Sequence, residues 1–437
     1  MSFCGSPSSS SSSSRRRPSP AQRDCVTRRH RYERDRNWRW RDHRTVRALT
    51  FLASEPSQVL GSTDIAAVPL FLMMGAFVNV SGFSKDLYTA AAAMLGHRRG
   101  GLAYATIGGS AAFGAICGSS PATVATFTRV ALPEMLQRHY SPAFSGATIA
   151  AGGALKALIP PSLSMILYCV VARTYIFDVF IAAVIPALIT IAANIAAIAL
   201  VVRWNPSIAP VAEQVSRQEK LIALWRAAPA ILLIGVIFVG LYSGIFTVSE
   251  AASVAAVVSF VFALMRRTIT VNNFVTGMRD TALTAGMIYF VLIGSSVFTY
   301  FISLAKVPEQ LIAFLGHVDL PPVGIIVLML GGYLVLGAVF DELAAMIVTL
   351  PFALPVIVHF GYDPVWWAII NVIIVELGLV IPPIGLVILI LHAMRPDIPL
   401  HRLYKSIVPF VVADMFVLAL LTAFPSIALW LPALLRG

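Results

Sequence analysis

Long uncharged, apolar stretches alternate with short polar segments along most of this chain. Six of these stretches hold roughly 20 residues or more, which is enough to cross a hydrocarbon core of ~30 Å. They lie between Asp64 and Lys85 and over 179–202, 227–249, 281–305, 320–340 and 415–435. A buried helix of a water-soluble protein would account for one such stretch but not for six. The pattern therefore predicts an all-α polytopic membrane protein.

Composition supports this prediction, because 58% of the 437 residues are hydrophobic, 12% are charged and the mean hydropathy is +0.82. The polar segment 205–226 mixes charged residues with an apolar side, which favours a helix lying at the membrane interface. We therefore expect a first transmembrane repeat over 60–204, an interfacial linker helix over 205–228 and a second transmembrane repeat over 229–437.

Residues 1–50 differ from the rest of the chain. They hold thirteen arginines against four acidic residues, and so carry most of the net charge of +11. The tail begins with a serine run at 8–14 and lacks apolar periodicity and a hydrophobic segment, so we expect disorder and no secretory signal. A polybasic arm for membrane or nucleic acid is one interpretation, and a frameshift or misplaced start is the favoured one. The basic tail gives no reason to predict a nucleic-acid partner for the body of the protein.

Several short motifs of the first half of the chain recur in the second half at one constant spacing, the distance from position 131 to position 353. We call this spacing the repeat offset. The matching elements are Ala131-Leu132-Pro133 with Ala353-Leu354-Pro355, Tyr140 with Tyr362, Pro142 with Pro364, and Ile159-Pro160-Pro161 with Ile381-Pro382-Pro383. Self-similarity at about half the chain length is typical of membrane transporters built from structural repeats. We expect the repeats to be inverted, which requires an odd number of crossings in each half.

Each Ile-Pro-Pro tripeptide predicts a broken helix, because proline removes a backbone N–H and clashes with the preceding turn. The carbonyls of Lys156 and Ala157, and those of Gly378 and Leu379, would lose their helical partners. Unpaired carbonyls at membrane depth need protein, water or an ion, and a hard cation such as Na⁺ is suited to them. The alternative is a kink completed by neighbouring hydroxyl groups.

A small-residue segment precedes each break. The first, Gly114–Pro121, interrupts an uncharged run over 100–128 that is long for a single crossing. We expect a re-entrant hairpin whose tip faces the break, and a second such hairpin with its tip in the segment Gly337–Glu342. Close helix packing through small residues is the alternative.

Ionisable residues at membrane depth are functional candidates. They are Lys156, Glu250, Asp341, Glu376 and Asp414. The Lys156 ammonium could meet a substrate carboxylate, pair with an acid or extend to the interface, whereas Glu250 could simply favour the start of a helix.

Several stretches together resemble one family. They include Gly118-Ser119-Ser120, Tyr140-Ser141-Pro142-Ala143, Ile159-Pro160-Pro161-Ser162, Gly244-Ile245-Phe246-Thr247, Asp341, Glu376 with Gly378, and Pro382-Pro383-Ile384-Gly385. Over residues 65–434 the chain is similar to the large membrane subunit of the tripartite ATP-independent periplasmic (TRAP) transporters, the DctM family. The resemblance implies an elevator-type permease of the bacterial inner membrane that imports an organic acid anion, such as a C4-dicarboxylate or sialic acid, with Na⁺. It also implies a DctP-type periplasmic binding protein and a small DctQ-type membrane subunit as partners.

Carried over to this chain, the resemblance implies two Na⁺ sites with the substrate between them and no other cofactor or transition metal. The first would comprise Gly118, Ser119, Ser120, Lys156, Ala157 and Pro160. The second would comprise Gly337, Asp341, Gly378, Leu379 and Pro382. Substrate would contact Ser120, Lys156, Ser162 and Asp341.

Two positions and one segment of the chain depart from the family pattern. Lys156 stands where glycine is common, Ile381 replaces a common threonine, and residues 1–50 stand where the family has its first hydrophobic helix or helices. The last departure makes an N-terminally altered, non-functional permease one alternative, and a stand-alone ion-coupled anion carrier another. An enzyme is not expected, because His139, His359, His392 and His401 lack metalloprotease-like spacing.

Overall fold

The computed structural model describes residues 50–211, 215–317 and 320–436. The predicted disordered tail lies outside these residues except for Thr50. Residues 58–437 form one compact unit. In the other unit, 1–57, only residues 50–57 are described, and they are helical.

Every regular element in the described part of the chain is a helix. Those of the first half, up to Trp204, are α1 (50–61), α2 (Thr63–Ser81), α3 (Phe83–Leu95), α4 (Gly101–Cys117), α5 (Ser120–Gln137), α6 (Pro142–Ala154), α7 (Leu163–Ala172) and α8 (Ile176–Trp204). Those of the second half are α9 (Arg217–Tyr242), α10 (Val248–Met265), α11 (Val271–Leu304), α12 (Val307–Gly316), α13 (Pro322–Val339), α14 (Glu342–His359), α15 (Pro364–Gly378), α16 (Leu386–Met394), α17 (Leu400–Ala423) and α18 (Ser426–Arg436). The all-α fold predicted from the sequence is confirmed.

Nine segments among the described residues are long and apolar enough to cross a membrane. They are α2, the stretch from α6 through α7, and α8, α9, α10, α11, α13, α14 and α17. Their outer faces carry large apolar side chains, for example Phe290, Trp225 and Leu232, which are 80%, 73% and 60% exposed. Such surfaces suit lipid rather than water.

Three helices are largely buried. Every residue of α15 from Trp366 to Gly378 is buried, and the Trp366 indole Nε1 donates to Leu421 O at 2.9 Å. Most residues of α4 and α6 are buried as well. A helix that is apolar all round belongs in the interior, so these three helices form the core around which the longer helices pack.

The repeat offset also relates helix ends. Helices α5 and α14 share both limits at this offset, and α6 and α15 both begin at the related prolines, Pro142 and Pro364. The residues before α5 and α14, Ser119 and Asp341, both cap their helix with a side-chain oxygen. The local structure of the two halves thus follows the sequence repeat, while their inversion across the membrane stays a prediction.

Three helix limits differ from those expected. Residues 217–242 form one continuous helix, so the linker helix predicted over 205–228 is not a separate element. Helix α9 begins with a Ser216/Glu219 capping box and continues because no stop signal follows, with Pro229 accommodated inside it. Conversely, the apolar stretch 415–435 is divided between α17 and α18, which separate before Pro425, since the residue preceding a proline is disfavoured in helical conformation. Helix α1 has no counterpart among the predicted elements.

Candidate functional site

Both predicted helix breaks are present. Helix α6 ends at Ala154 and continues as a 3-10 turn, Leu155–Leu158, before an irregular segment leads into α7. In the second half, α15 ends at Gly378 and α16 starts only at Leu386. The bonds Pro160–Pro161 and Pro382–Pro383 are both cis. Both Ile-Pro-Pro tripeptides therefore lie in irregular segments between two helices.

The carbonyls at the breaks are less free than the sequence suggests. Lys156 O accepts a hydrogen bond from Ile159 N at 3.2 Å, and Leu379 O accepts one from Val387 N at 3.2 Å. Both carbonyls lack the helical partner four residues on, which is a proline, but a tight turn and the returning chain supply other N–H groups. The proposed roles of Ala157 and Gly378, both buried, stay predictions.

The first hairpin consists of α4 and α5, and the second consists of α13 and α14. Both have short tips. Gly118 adopts the left-handed conformation with φ 69°, which ends α4 and lets the chain reverse. Ser119 Oγ then accepts from Ala122 N at 3.3 Å, and Asp341 Oδ2 accepts from Leu343 N at 3.1 Å. These two predicted cation ligands therefore act as helix caps, and Asp341 is exposed.

Each hairpin also packs on the break of its own half. A Cβ added to Gly114 of α4 would lie 2.4 Å from Lys156 Cβ, at the first break. A Cβ added to Gly378 would lie 2.5 Å from the carbonyl carbon of Gly337, which is on α13. Glycine is needed at these crossings because the backbones or side chains of neighbouring elements fill the space. The residues predicted for each site are thereby brought close together.

The hairpin tips contact the break of the opposite half as well. Ser120 Oγ, at the start of α5, donates to Glu376 Oε1 on α15. Lys156 Nζ, at the first break, lies 2.7 Å from Glu342 Oε1 at the start of α14. Ser164 Oγ donates to the same Glu342 oxygen at 3.3 Å. We call these contacts the crossed contacts.

The crossed contacts follow the internal repeat but differ in chemistry. Glu342 stands one repeat offset after Ser120, and Gly378 stands one repeat offset after Lys156. One tip is therefore a serine facing a glutamate on the opposite α15, and the other tip is a glutamate facing a lysine. Equivalent positions carry a hydroxyl in one half and a carboxylate in the other.

Glu342 and Ser164 are not among the site residues predicted from the sequence, and Glu376 lies outside both proposed sites. The repeat offset could have identified Glu342, because it is the equivalent of Ser120. No comparable signal pointed to Ser164. The predicted substrate residue Ser162 is buried, and its hydroxyl has no hydrogen-bond partner among the described residues. Pro160 is buried and Pro382 is exposed.

A polar cavity of about 440 Å³ lies beside the first hairpin tip. Its walls come from α2, the tip and α11. Its polar lining residues are Asn79, Ser119, Asn272, Asn273, Thr276, Asp280, Thr281 and Thr284. The residues on α11 recur at helical spacing, so one face of this long helix is hydrophilic. A cavity of this size can hold a small organic solute.

The two remaining candidate acids are placed differently. Glu250 forms a capping box with Thr247 at the start of α10 and is exposed, so its contacts are those of a helix cap. Asp414 Oδ1 accepts from Asn194 Nδ2 at 2.7 Å. Asp414 and Glu376 line one cavity of about 20 Å³ beside the first break, which has room for a single water molecule.

Two hairpins and two interrupted helices that meet around buried charged groups are typical of polytopic membrane transporters, and the fold and site assign the chain to this class. Within it, residues 42–427 match the family described as "Tripartite ATP-independent periplasmic transporter, DctM component". The chain belongs to that family, which confirms the resemblance inferred from its motifs.

Similar proteins include the C4-dicarboxylate TRAP transporter large permease protein DctM of Pseudomonas aeruginosa, which is 30% identical over 389 residues covering 89% of this chain and 90% of that protein. The sialic acid TRAP transporter large permease protein SiaM of Vibrio cholerae is 29% identical, with 87% and 89% covered. Among solved structures, the Alcanivorax borkumensis YdaH transporter has a similar fold, with a TM-score of 0.56, 14% identity and 87% of each chain covered. The predicted multi-pass inner-membrane location is confirmed by the family and the membrane-length helices.

Proposed function

We propose that this large permease imports an organic acid anion together with Na⁺. A DctP-type periplasmic binding protein would deliver the anion, and a small DctQ-type membrane subunit would complete the permease. The observation that carries the proposal is the meeting of both hairpin tips and both helix breaks at Lys156, Glu342 and Glu376. Ionised groups inside membrane-length helices are costly and mark ion or substrate pathways.

The second proposed cation site has features that suit Na⁺. Helices α13 and α15 both end there, and a Cβ added to Gly337 would lie 2.9 Å from Val375 O, so carbonyl oxygens crowd the crossing. Helix C-termini carry partial negative charge, and interrupted helices in transporters use such ends to coordinate Na⁺. Glu376 adds a carboxylate close to Gly378 in the same helix.

The substrate class follows from the relatives and the site together. Relatives are named for C4-dicarboxylates, sialic acid, isethionate and ectoine, all of which carry an acidic group. In this chain the Lys156 ammonium already pairs with Glu342, so a substrate carboxylate would have to share it. The unpartnered Ser162 hydroxyl could donate to the same substrate. The 440 Å³ cavity beside the first tip provides room for its approach.

The proposed mechanism is an elevator motion, in which the hairpins and broken helices move together against the outer helices. The crossed contacts support this proposal because they tie both hairpins to one body. Close approach of α2 to the first tip, where a Cβ on Gly75 would lie 2.8 Å from Cys117 O, marks a surface along which that body would slide.

Transport assays in proteoliposomes test the proposal. The full chain is reconstituted with a DctQ-type membrane subunit and a DctP-type binding protein, and uptake of radiolabelled succinate and N-acetylneuraminate is measured. We expect uptake of a carboxylate with an inward Na⁺ gradient, and loss of uptake when a Na⁺ ionophore collapses the gradient or when K⁺ replaces Na⁺.

The alternatives give different results in the same assay. Na⁺-driven uptake without the binding protein would identify a stand-alone carrier. A folded chain that transports none of a panel of acids offered with a loaded binding protein would identify an altered, inactive permease. Uptake that is independent of Na⁺ would contradict the coupling proposed here.

A further inference from the structure

The first proposed cation site already contains a positive charge of the protein. The Lys156 side chain is 0% exposed, and its Nζ lies 2.7 Å from Glu342 Oε1. Glu376 and Asp341 also act electrostatically on this ammonium. The charge is therefore held inside the protein, between the first break and the tip of the second hairpin.

The oxygens predicted to bind a metal ion at this site have other partners. Ser119 Oγ accepts from Ala122 N, Ser120 Oγ donates to Glu376, and Lys156 O accepts from Ile159 N. Two like unit charges ~4 Å apart repel by about 4 kcal/mol at an effective dielectric constant of 20. The buried ammonium therefore disfavours a Na⁺ ion in direct contact with it.

The equivalent position of the second half lacks this charge. Gly378 is the repeat equivalent of Lys156 and packs directly against the backbone of Gly337. The carbonyl ends of α13 and α15 meet there, with no side chain between them. The second site therefore keeps the negative potential of two helix ends and has no protein cation at the position equivalent to Lys156.

The charges of the buried side chains indicate which of them lacks a counter-charge within the protein. Lys156 neutralises Glu342, which leaves the Glu376 carboxylate with a neutral hydroxyl donor, Ser120. A buried carboxylate without a counter-charge is costly. A monovalent cation near the second break would balance the ionised form of this carboxyl group.

We infer that Lys156 takes the place of the cation at the first site, so that this chain binds one Na⁺ ion where two equivalent sites would bind two. The inference rests on the Na⁺ coupling proposed above. It assigns to Lys156 a charge-balancing role and removes Gly118, Ser119, Ser120, Ala157 and Pro160 from metal coordination.

Equilibrium binding of ²²Na⁺ to the full chain in lipid nanodiscs tests the inference without any transport. We expect about one ion per wild-type chain and about two per Lys156→Gly chain, which has the glycine found at position 378 and leaves Glu342 available. The matched control is Lys156→Gly/Glu342→Gln, which lacks both charges and should return to about one. As a second measurement, the unfolding temperature of Lys156→Gly should rise about twice as steeply with the logarithm of Na⁺ concentration as that of the wild type, because ligand linkage scales with the number of bound ions.

Each other result has a defined meaning. Two ions bound by the wild type would overturn the inference and leave Na⁺ coupling standing. No ion bound by the wild type would overturn both. A folded Lys156→Gly chain that still binds one ion would show that lysine does not replace a cation. If Lys156→Gly fails to fold, the wild-type measurement still tests the inference, because two bound ions would overturn it.

Discussion

The buried Lys156–Glu342 pair is the residue-scale feature with the largest energetic consequence. Moving two charges out of water costs several kcal/mol per ion, and their attraction offsets this cost only when the geometry is good and other hydrogen bonds are present. Here the two groups are 2.7 Å apart, and Ser164 adds a hydrogen bond to the same carboxylate. The pair is therefore sensitive to the loss of either partner.

Removing one partner should destabilise the protein more than removing both. We expect Lys156→Met or Glu342→Leu alone to lower the free energy of unfolding in Na⁺-free nanodiscs by about 3–5 kcal/mol, because each leaves an uncompensated buried charge. The double variant Lys156→Met/Glu342→Leu should recover most of this loss. A double-mutant cycle on chemical unfolding measures the coupling, and single variants within about 0.5 kcal/mol of the wild type would contradict the prediction.

At the scale of elements, close crossings between helix ends position the site. Helix α13 ends where α15 ends, and the pair Gly337 and Gly378 brings the two backbones into contact. In the first half, Gly114 allows the Lys156 side chain to pass over α4. Each crossing holds a hairpin against the break of its own half. The residues of the crossed contacts are thereby held in position.

A methyl group at Gly378 should disrupt the second crossing. Its Cβ would lie 2.5 Å from Gly337 C and 2.9 Å from Ala338 N, and backbone atoms cannot yield as a flexible side chain can. We expect Gly378→Ala to cost at least about 1–3 kcal/mol, as overpacking does, and to weaken Na⁺ binding. Gly332→Ala, on α13 with nothing within 4 Å, is the matched control. It should be neutral or stabilise the helix by about 0.5–1 kcal/mol, as measured by thermal unfolding.

Local elements were predictable from the sequence, and their partners were not. Apolar run length, Pro-Pro pairs and Gly118 identify spans, breaks and a tip because each acts through the backbone of its own segment. The partner of Lys156 lies 186 residues away, and periodicity carries no information on such pairing. The repeat offset could have supplied Glu342 by equivalence with Ser120. The separate linker helix predicted over 205–228 is not observed, because a polar surface on α9 does not end that helix.

The whole molecule has a polar space between its core and its outer helices. The 440 Å³ cavity separates the first tip from α2 and α11 over part of their length, while Gly75 keeps α2 in contact with the tip elsewhere. The proposed movement of the hairpins against these helices requires that no side chain block this contact. The surface between core and outer helices is therefore where transport rate should be most sensitive.

A large side chain at Gly75 should slow transport without removing Na⁺ binding. We expect Gly75→Leu to lower Na⁺-driven uptake at least about ten-fold, which corresponds to ~1.4 kcal/mol on the barrier, because its Cβ would meet Cys117 O at 2.8 Å. Gly286→Leu, on α11 with open space around it, should leave uptake nearly unchanged. Uptake and ²²Na⁺ binding measured on the same preparations check this, and equal uptake by both variants would count against a sliding surface at Gly75.

The crossed contacts also bear on how such a chain can diverge. An ancestor made of two copies of one sequence would have placed identical residues at both tips and at both breaks. Because each tip completes the opposite half, a charge gained at position 156 needs its compensation at position 342, in the other copy. We therefore expect changes at these positions to be inherited as reciprocal pairs. Aligned relatives of this chain should show lysine at 156 only together with an acid at 342.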